Sequence, residues 1–136
     1  MVTRIIMTNV DVVKAMYAAF GRKDIGAIVE RLTPDCQWNI PGSGIPNAGR
    51  YHGPAGVAEF FKRMAESEEI TRFEPREFFS NESGDVVSHG FREARIIANG
   101  RMAQTNWMFL YRFRDGKVAY FESFYDTSAF AAAHAG

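Results

Sequence analysis

The stretch from Asn99 to Thr127, NGRMAQTNWMFLYRFRDGKVAYFESFYDT, settles the class of fold. Asn99-Gly100 and Asp115-Gly116 are dipeptides that tight hairpin turns prefer, because the central residues of such turns take positive φ. The segments 101–114 and 117–125 are long, aromatic-rich and free of proline, as strands are. Upstream, 85–98 and 70–80 read as further strands, joined through Asn81–Gly84. The second half of the chain is therefore an antiparallel meander.

The first half reads as helices. Thr8 or Asn9 can cap a helix whose apolar residues, Val10, Val13, Met16 or Tyr17, and Phe20, recur at helical spacing until Gly21 ends it. Asp24 caps a short second helix with Ile25, Ile28, Val29 and Leu32 on one face, closed by Pro34. Asp35–Ile40 reads as a strand, and 41–49, PGSGIPNAG, as a loop. Pro54 suits the first position of a third helix with Val57, Phe60, Phe61 and Met64 as its apolar stripe. Thr127 or Ser128 caps an alanine-rich terminal helix, with Asp126 ending the last strand and helping the cap. The order implies an α+β fold: a curved antiparallel sheet packed against three helices from the N-terminal half.

Length and composition narrow the function. The chain has 136 residues, the size of one domain spanning 1–136, and 46% of them are hydrophobic. Sixteen basic and sixteen acidic residues cancel, which argues against a nucleic-acid partner. No apolar run approaches the roughly 20 residues of a membrane span, and Met1–Met7 shows no signal-peptide apolar region. The single cysteine, Cys36, forbids an internal disulfide and suits a reducing cytoplasm. His, Asp and Glu are too scattered to suggest a metal site.

Several motifs occur in a particular order: Trp38-x-x-Pro41-Gly42, Ala48-Gly49-x-Tyr51-x-Gly53-Pro54, and Phe73-Glu-Pro-Arg-Glu-Phe78. Gly100-Arg101, Trp107, Phe113-Arg-Asp-Gly-Lys117 and Tyr125-Asp126-Thr127 follow. With this layout the chain resembles the SnoaL-like, ketosteroid-isomerase-related branch of the nuclear-transport-factor-like superfamily, which has a cystatin-like fold. The resemblance implies a cone-shaped sheet whose concave face, closed by helices, makes a ligand pocket. It implies no cofactor, and a homodimer through the convex face. Activities in the superfamily include steroid double-bond isomerisation, polyketide cyclisation and epoxide hydrolysis.

The familiar catalytic groups are missing. Steroid isomerisation needs a carboxylate base and two oxyanion donors. Alignment places those roles on Ile40, Met16 and Phe109, all apolar. The cyclase positions fall on Ser123, Phe109 and Trp107, and a serine without a base accepts protons poorly. The water-activating set of the epoxide hydrolases has no counterpart.

Hairpin register sets which residues face the pocket. At Asp115-Gly116 a two-residue turn puts Glu122 opposite Phe109. A three-residue turn, Arg114-Asp115-Gly116, puts Phe121 opposite Phe109 and Ser123 opposite Trp107. The second suits a type I turn with a bulge, and it sends Trp107, Phe109, Tyr111, Phe121, Ser123 and Tyr125 inward. At Asn99-Gly100 a two-residue turn puts Arg92 opposite Trp107, and a three-residue turn puts His89 opposite Phe109. The Asn-Gly pair favours Arg92. An inward arginine binds an anionic or carbonyl group; an inward histidine is a general base.

The expected lining is Met16, Tyr17, Phe20, Trp38, Ile40, Trp107, Phe109, Tyr111 and Phe121. His89, Arg92, Ser123 and Tyr125 are the candidate catalytic groups. Bland readings stand beside these: His89 at an interface, His52 in a loop, both tryptophans as core, and tyrosine hydroxyls bonded to backbone. Arg72, Glu74, Arg76 and Glu77 read as a solvated or dimer-facing ladder. The expectation is a cofactor-free isomerase, cyclase or hydrolase acting on a small hydrophobic carbonyl or polycyclic compound. The alternatives are a non-catalytic binder of an apolar metabolite and a dimerising domain with a filled core. Met108, Leu110 and Phe124 alternate with the inward set and make the expected dimer face.

Overall fold

The computed structural model describes residues 7–136. The reading of the opening segment falls, apart from Met7, outside the described residues. Helix α1 (Asn9–Gly21) begins at a capping box. Thr8 Oγ1 accepts from the Asp11 amide, and Asp11 accepts from the Thr8 amide. Asp24 caps the single-turn helix α2 (Ile25–Val29). Strand β1 (Leu32–Ile40) starts earlier than the sequence indicates. Pro34 lies inside the strand, exposed, instead of closing the helix before it.

Strand β2 (Gly49–His52) was hidden at the end of the loop reading, because four residues are too few to show alternation. Its Tyr51 is buried and donates to the Asn47 carbonyl at 2.7 Å. Helix α3 (Gly53–Ser67), with Pro54 in its first turn, runs straight into β3 (Glu68–Ser80). Strands β4 (Val86–Ile96), β5 (Met102–Arg114) and β6 (Lys117–Tyr125) complete the meander. Asp126, not Thr127 or Ser128, is the N-cap of α4 (Thr127–Ala135); its carboxylate accepts from the Ala129 amide at 3.1 Å.

The six strands form one curved sheet in the order β2-β1-β6-β5-β4-β3. All neighbours are antiparallel except β1 and β6, which run parallel where the two halves of the chain meet. The helices α1, α2 and α3 cover the concave face, and Val13, Met16, Ile28 and Val57 are buried against it. A second apolar cluster lies under α4, where Phe130 and Ala133 meet Ala94, Ile96 and Ala103.

Neither expected hairpin register is the observed one. Arg114 pairs with Lys117, so Asp115-Gly116 is a two-residue turn, and Asp115 takes the positive φ that I′ turns require. A bulge at Ala119 then shifts the ladder, so that Trp107, Phe109 and Tyr111 pair with Tyr125, Ser123 and Phe121. The shift is two residues from the three-residue-turn reading, so the inward set is unchanged although every partner is different. At the other hairpin the Gly100 amide bonds to the Ile96 carbonyl, and residues 97–100 form a four-residue loop. Gly90 therefore faces Trp107, and Arg92 faces Thr105.

Strand β3 carries two more bulges. Its register skips Thr71 and Arg76. Each extra residue reverses the side on which the next side chains project. Glu68 and Ile70, then Phe73, and then Phe78 all pair with inward-facing residues of β4: Ile96, Ala94, Arg92 and Ser88. The bulges bend the strand over the concave face. On the outer side Arg72, Glu74 and Arg76 form the charged ladder, with both guanidinium groups over Phe91. Charges on an edge strand oppose pairing with another sheet.

Candidate functional site

Between the helices and the concave face lies a cavity of about 90 Å³. Met16, Tyr17, Phe20 and Ile28 line it from α1 and α2, and Phe60, Phe61 and Met64 from α3. Trp38, Ile40, Ile70, Phe73, Phe109, Tyr111 and Phe121 supply the sheet wall. The remaining lining side chains are Asn47, Arg92, Ser123 and Tyr125. Among the described residues no Asp, Glu, His, Lys or Cys lines the chamber. Phe20, Phe61, Met64 and Phe73 also line a broader surface groove of about 880 Å³ along α1, α3 and β3.

Aromatic stacking fixes the walls. Trp38 lies on Phe121 with centroids 3.9 Å apart and planes 18° apart. Phe20 meets Phe73 edge to face at 5.2 Å, and Tyr17 meets Phe73 at 5.4 Å. The Tyr111 hydroxyl donates to the Tyr17 hydroxyl at 2.8 Å. Burial pushes both phenols well above their ordinary range, so this pair stays protonated at neutral pH.

The polar part of the lining is organised around Arg92. Its guanidinium bonds to Glu68 at 3.0 Å, and the Glu68 side chain is completely buried. His134 Nε2 from α4 reaches the other Glu68 oxygen at 3.4 Å. The rings of Phe130 and Tyr125 lie 4.1 and 4.8 Å from the guanidinium carbon. A buried charge persists only with a partner, and this cluster gives Arg92 one carboxylate and two aromatic faces. The Tyr125 hydroxyl is buried without a hydrogen-bond partner among the described residues, as are Asn47 Oδ1 and Trp38 Nε1. Burial first, and the Glu68 charge second, push the Tyr125 phenol up to about 12 against the opposing pull of Arg92. It is a neutral O–H donor at physiological pH.

Of the expected lining residues, the structure places Met16, Tyr17, Phe20, Trp38, Ile40, Phe109, Tyr111 and Phe121 on the chamber wall. Trp107 is not on it. At 1% exposure, this indole is enclosed between Phe73 and Phe109, with centroids at 5.2 and 4.1 Å, and belongs to the core. Arg92, Ser123 and Tyr125 all line the chamber; Arg92 lies over the Tyr125 ring, and Ser123 is two residues before Tyr125 on the same strand. His89 does not join them. It pairs with Met108 on the convex face and lies 3.4 Å from Glu77, because the four-residue loop sets an odd register sum that sends Arg92 inward. His52 is exposed at the start of α3, and Cys36 is buried with its thiol pushed up by burial. Among the described residues no group of three His, Cys, Asp or Glu is placed to hold a metal ion.

The sequence reading missed Glu68, His134, Asn47 and Phe73. Glu68 was concealed because the strand reading began at residue 70 while β3 starts at Glu68, Phe73 by the first β3 bulge, and His134 by its distance along the chain from its partners.

Comparison with known proteins agrees with this architecture. Residues 13–121 match the SnoaL-like domain family. An NTF2-like protein from Burkholderia xenovorans is 33% identical, with a TM-score of 0.84 over 93% of this chain and 95% of that one. An NTF2-like protein of unknown function from Burkholderia pseudomallei is 27% identical, with a TM-score of 0.86 over 96% and 100%. TerC, co-crystallised with polyporic acid, is 28% identical, with a TM-score of 0.79 over 94% and 98%. No curated protein matches the chain. With its curved sheet, its covering helices and a family match over most of its length, the chain belongs to the SnoaL-like domain family, within the NTF2-like, cystatin-like fold.

Proposed function

We propose that this protein binds a compact, largely apolar carbonyl compound in the chamber and acts on it with its own side chains, as an isomerase, cyclase or hydrolase. The observation that carries the reading is that Arg92, Ser123 and the unpartnered Tyr125 hydroxyl all line an otherwise largely apolar cavity, with Arg92 packed over the Tyr125 ring. An acceptor oxygen there meets a fixed cation and a neutral donor, which polarise it. A cavity of about 90 Å³ is far below the roughly 300–1,000 Å³ of pockets for drug-sized ligands. A single ring fills it, and a polycyclic compound has to extend past Phe20 and Phe73 into the outer groove. TerC, a relative of the same fold, was co-crystallised with polyporic acid, which supports a small organic ligand for this chain.

A second reading, a binding protein that holds such a compound unchanged, rests on a different observation. Among the described residues no carboxylate or imidazole lines the chamber, so proton abstraction needs Tyr125, Ser123 or a group of the ligand. A thermal-shift screen with one- and two-ring ketones, lactones and quinones tests both, followed by mass spectrometry of the bound compounds. Stabilisation with conversion supports the enzyme; stabilisation with recovery of unchanged compound supports the binder. A third outcome, no stabilisation by any member or equal stabilisation of an Arg92→Met variant, overturns the site assignment.

The reading includes a homodimer through the convex face and residence in the cytoplasm. Met108 and Phe124 are cross-strand neighbours, 46% and 50% exposed, beside the half-buried Leu110 and Phe91. A second copy of the same apolar face is the self-complementary occupant. No helix among the described residues is long and apolar enough to cross a membrane. The lone free Cys36 suits a reducing compartment.

A further inference from the structure

The buried cluster behind the chamber does more than hold an arginine. Glu68, at the joint between α3 and β3, touches Arg92 with one oxygen and His134 with the other. All three side chains are nearly sealed: Glu68 is fully buried, His134 is 8% exposed and Arg92 11%. With His134 neutral the cluster carries one negative and one positive charge and sums to zero. With His134 protonated it carries a net positive charge next to the chamber.

We propose that Glu68 and His134 set the charge class of molecule that Arg92 accepts: neutral carbonyl compounds when His134 is neutral, and carboxylates or enolates when it is protonated. This rests on the reading of the chamber as a carbonyl site. An anion entering beside the neutral cluster leaves one uncompensated negative charge in an apolar enclosure, which is costly. Protonation of His134 cancels it. Anion binding therefore takes up one proton, and binding of a neutral ketone takes up none. Histidine is the side chain whose ordinary charge change lies between pH 5 and 8, which makes it the exchangeable member of the cluster.

Among the described residues Glu68 from β3 is the charged group in contact with His134. Arg92 from β4 pairs with the other oxygen of that carboxylate, and the Tyr125 ring from β6 lies beneath the Arg92 guanidinium. Tyr125 stays protonated through this range. Beyond the end of α4, Arg101 packs against Gly136. Asn99 donates to the Ala133 carbonyl at 2.8 Å and holds the last turn in place. Glu68 and His134 act through Arg92, so they are positioning residues.

The test has a ligand-free arm and a ligand arm. In the free protein, the His134 imidazole is titrated by NMR in the wild type and in Glu68→Gln. The midpoint is expected to fall in the variant, because the carboxylate that favours the imidazolium is gone. An unchanged midpoint overturns the coupling whatever the chamber binds. In the second arm, benzoate and acetophenone are titrated calorimetrically between pH 5 and 8 in buffers of different ionisation enthalpy. Benzoate is expected to bind with uptake of one proton and to weaken up to tenfold per pH unit above the midpoint. Acetophenone is expected to show no slope. In His134→Asn the benzoate slope should vanish while acetophenone affinity holds. Equal slopes for both probes, or a benzoate slope that survives in His134→Asn, overturn the proposal. Failure of both probes to bind, with the His134 midpoint still shifted by Glu68→Gln, overturns the carbonyl site and this charge selection with it, and leaves the Glu68–His134 coupling standing. Where Glu68→Gln does not fold, His134→Asn decides.

Discussion

Gly90 lies directly opposite Trp107 across the β4–β5 ladder, and no side chain fits between them. A Cβ on Gly90 would fall inside contact distance of both the Trp107 indole and the Glu74 carbonyl. The glycine lets the edge of the indole approach the β4 backbone, while Phe73 and Phe109 stack parallel to it with planes 10° and 8° apart. Gly90 therefore makes Trp107 part of the core and leaves the chamber to its neighbours.

Gly90→Ala is expected to displace the indole and cost about 1–3 kcal/mol, the usual penalty for overpacking a filled site. The denaturant midpoint measures the loss, and near-UV circular dichroism reports the altered tryptophan environment. A variant with wild-type midpoint and spectrum would show that the indole has room to move.

Arg92→Met strands the buried Glu68 carboxylate, and removing one partner of a buried pair costs about 3–5 kcal/mol. The double variant Arg92→Met/Glu68→Met leaves no charge unpaired and should recover most of the loss. Chemical unfolding of the two single variants and the double gives the coupling energy. Additive losses would show that the ion pair does not hold the strands together.

His89→Ala and Tyr125→Phe separate the convex face from the chamber. The first removes a partly exposed surface contact with Glu77, and stability should change by no more than about 0.5 kcal/mol with ligand affinity intact. The second removes the donor on the chamber wall and should weaken a carbonyl ligand by about 0.5–1.5 kcal/mol, the net worth of one hydrogen bond. Its stability should not fall, because the hydroxyl it deletes has no partner among the described residues. Equal ligand affinity of Tyr125→Phe and wild type would remove Tyr125 from the site.

Alkaline unfolding follows from the three buried phenols. Tyr17, Tyr111 and Tyr125 are all pushed up by burial, Tyr125 to about 12 from an ordinary value of 10.0. A group with a raised native pKa keeps its proton in the fold after the unfolded chain has lost it. Its contribution is therefore complete below pH 10.0 and declines as pH rises toward 12. Tyrosinate absorbance from these residues should appear together with loss of structure, and Tyr125→Phe should flatten the decline between those limits. A smooth tyrosinate titration in a folded protein would contradict their burial.

Met108→Glu with Phe124→Glu places two like charges on the convex face and should leave the chamber untouched. Sedimentation at micromolar concentration is expected to show a dimer for the wild type and a monomer for the double variant. A monomeric wild type would remove the convex face as an interface.

The elements were legible because their signals are local. Thr8 with Asp11, Asp24, Pro54 and the Asp115-Gly116 pair act within a few residues, where capping and φ preference are decided. The inward set of β5 and β6 was legible for a weaker reason: the shorter turn and the one-residue bulge at Ala119 each moved the ladder by one, and the sum of two residues preserves facing. Glu68 and Phe73 were not legible. Strand β3 starts at Glu68, ahead of the expected residue 70, and the first bulge breaks the alternation on which a strand reading of Phe73 depends.

The sequence by itself determined the helices, the meander and the family. These depend on side-chain periodicity and turn chemistry, which neighbouring residues carry. Only the tertiary structure decided that Arg92 and not His89 faces the chamber, that Trp107 is core, and that Glu68 and His134 stand behind the arginine. Those outcomes depend on loop length, bulges and contacts across 24 to 66 residues of chain, and no local preference encodes them.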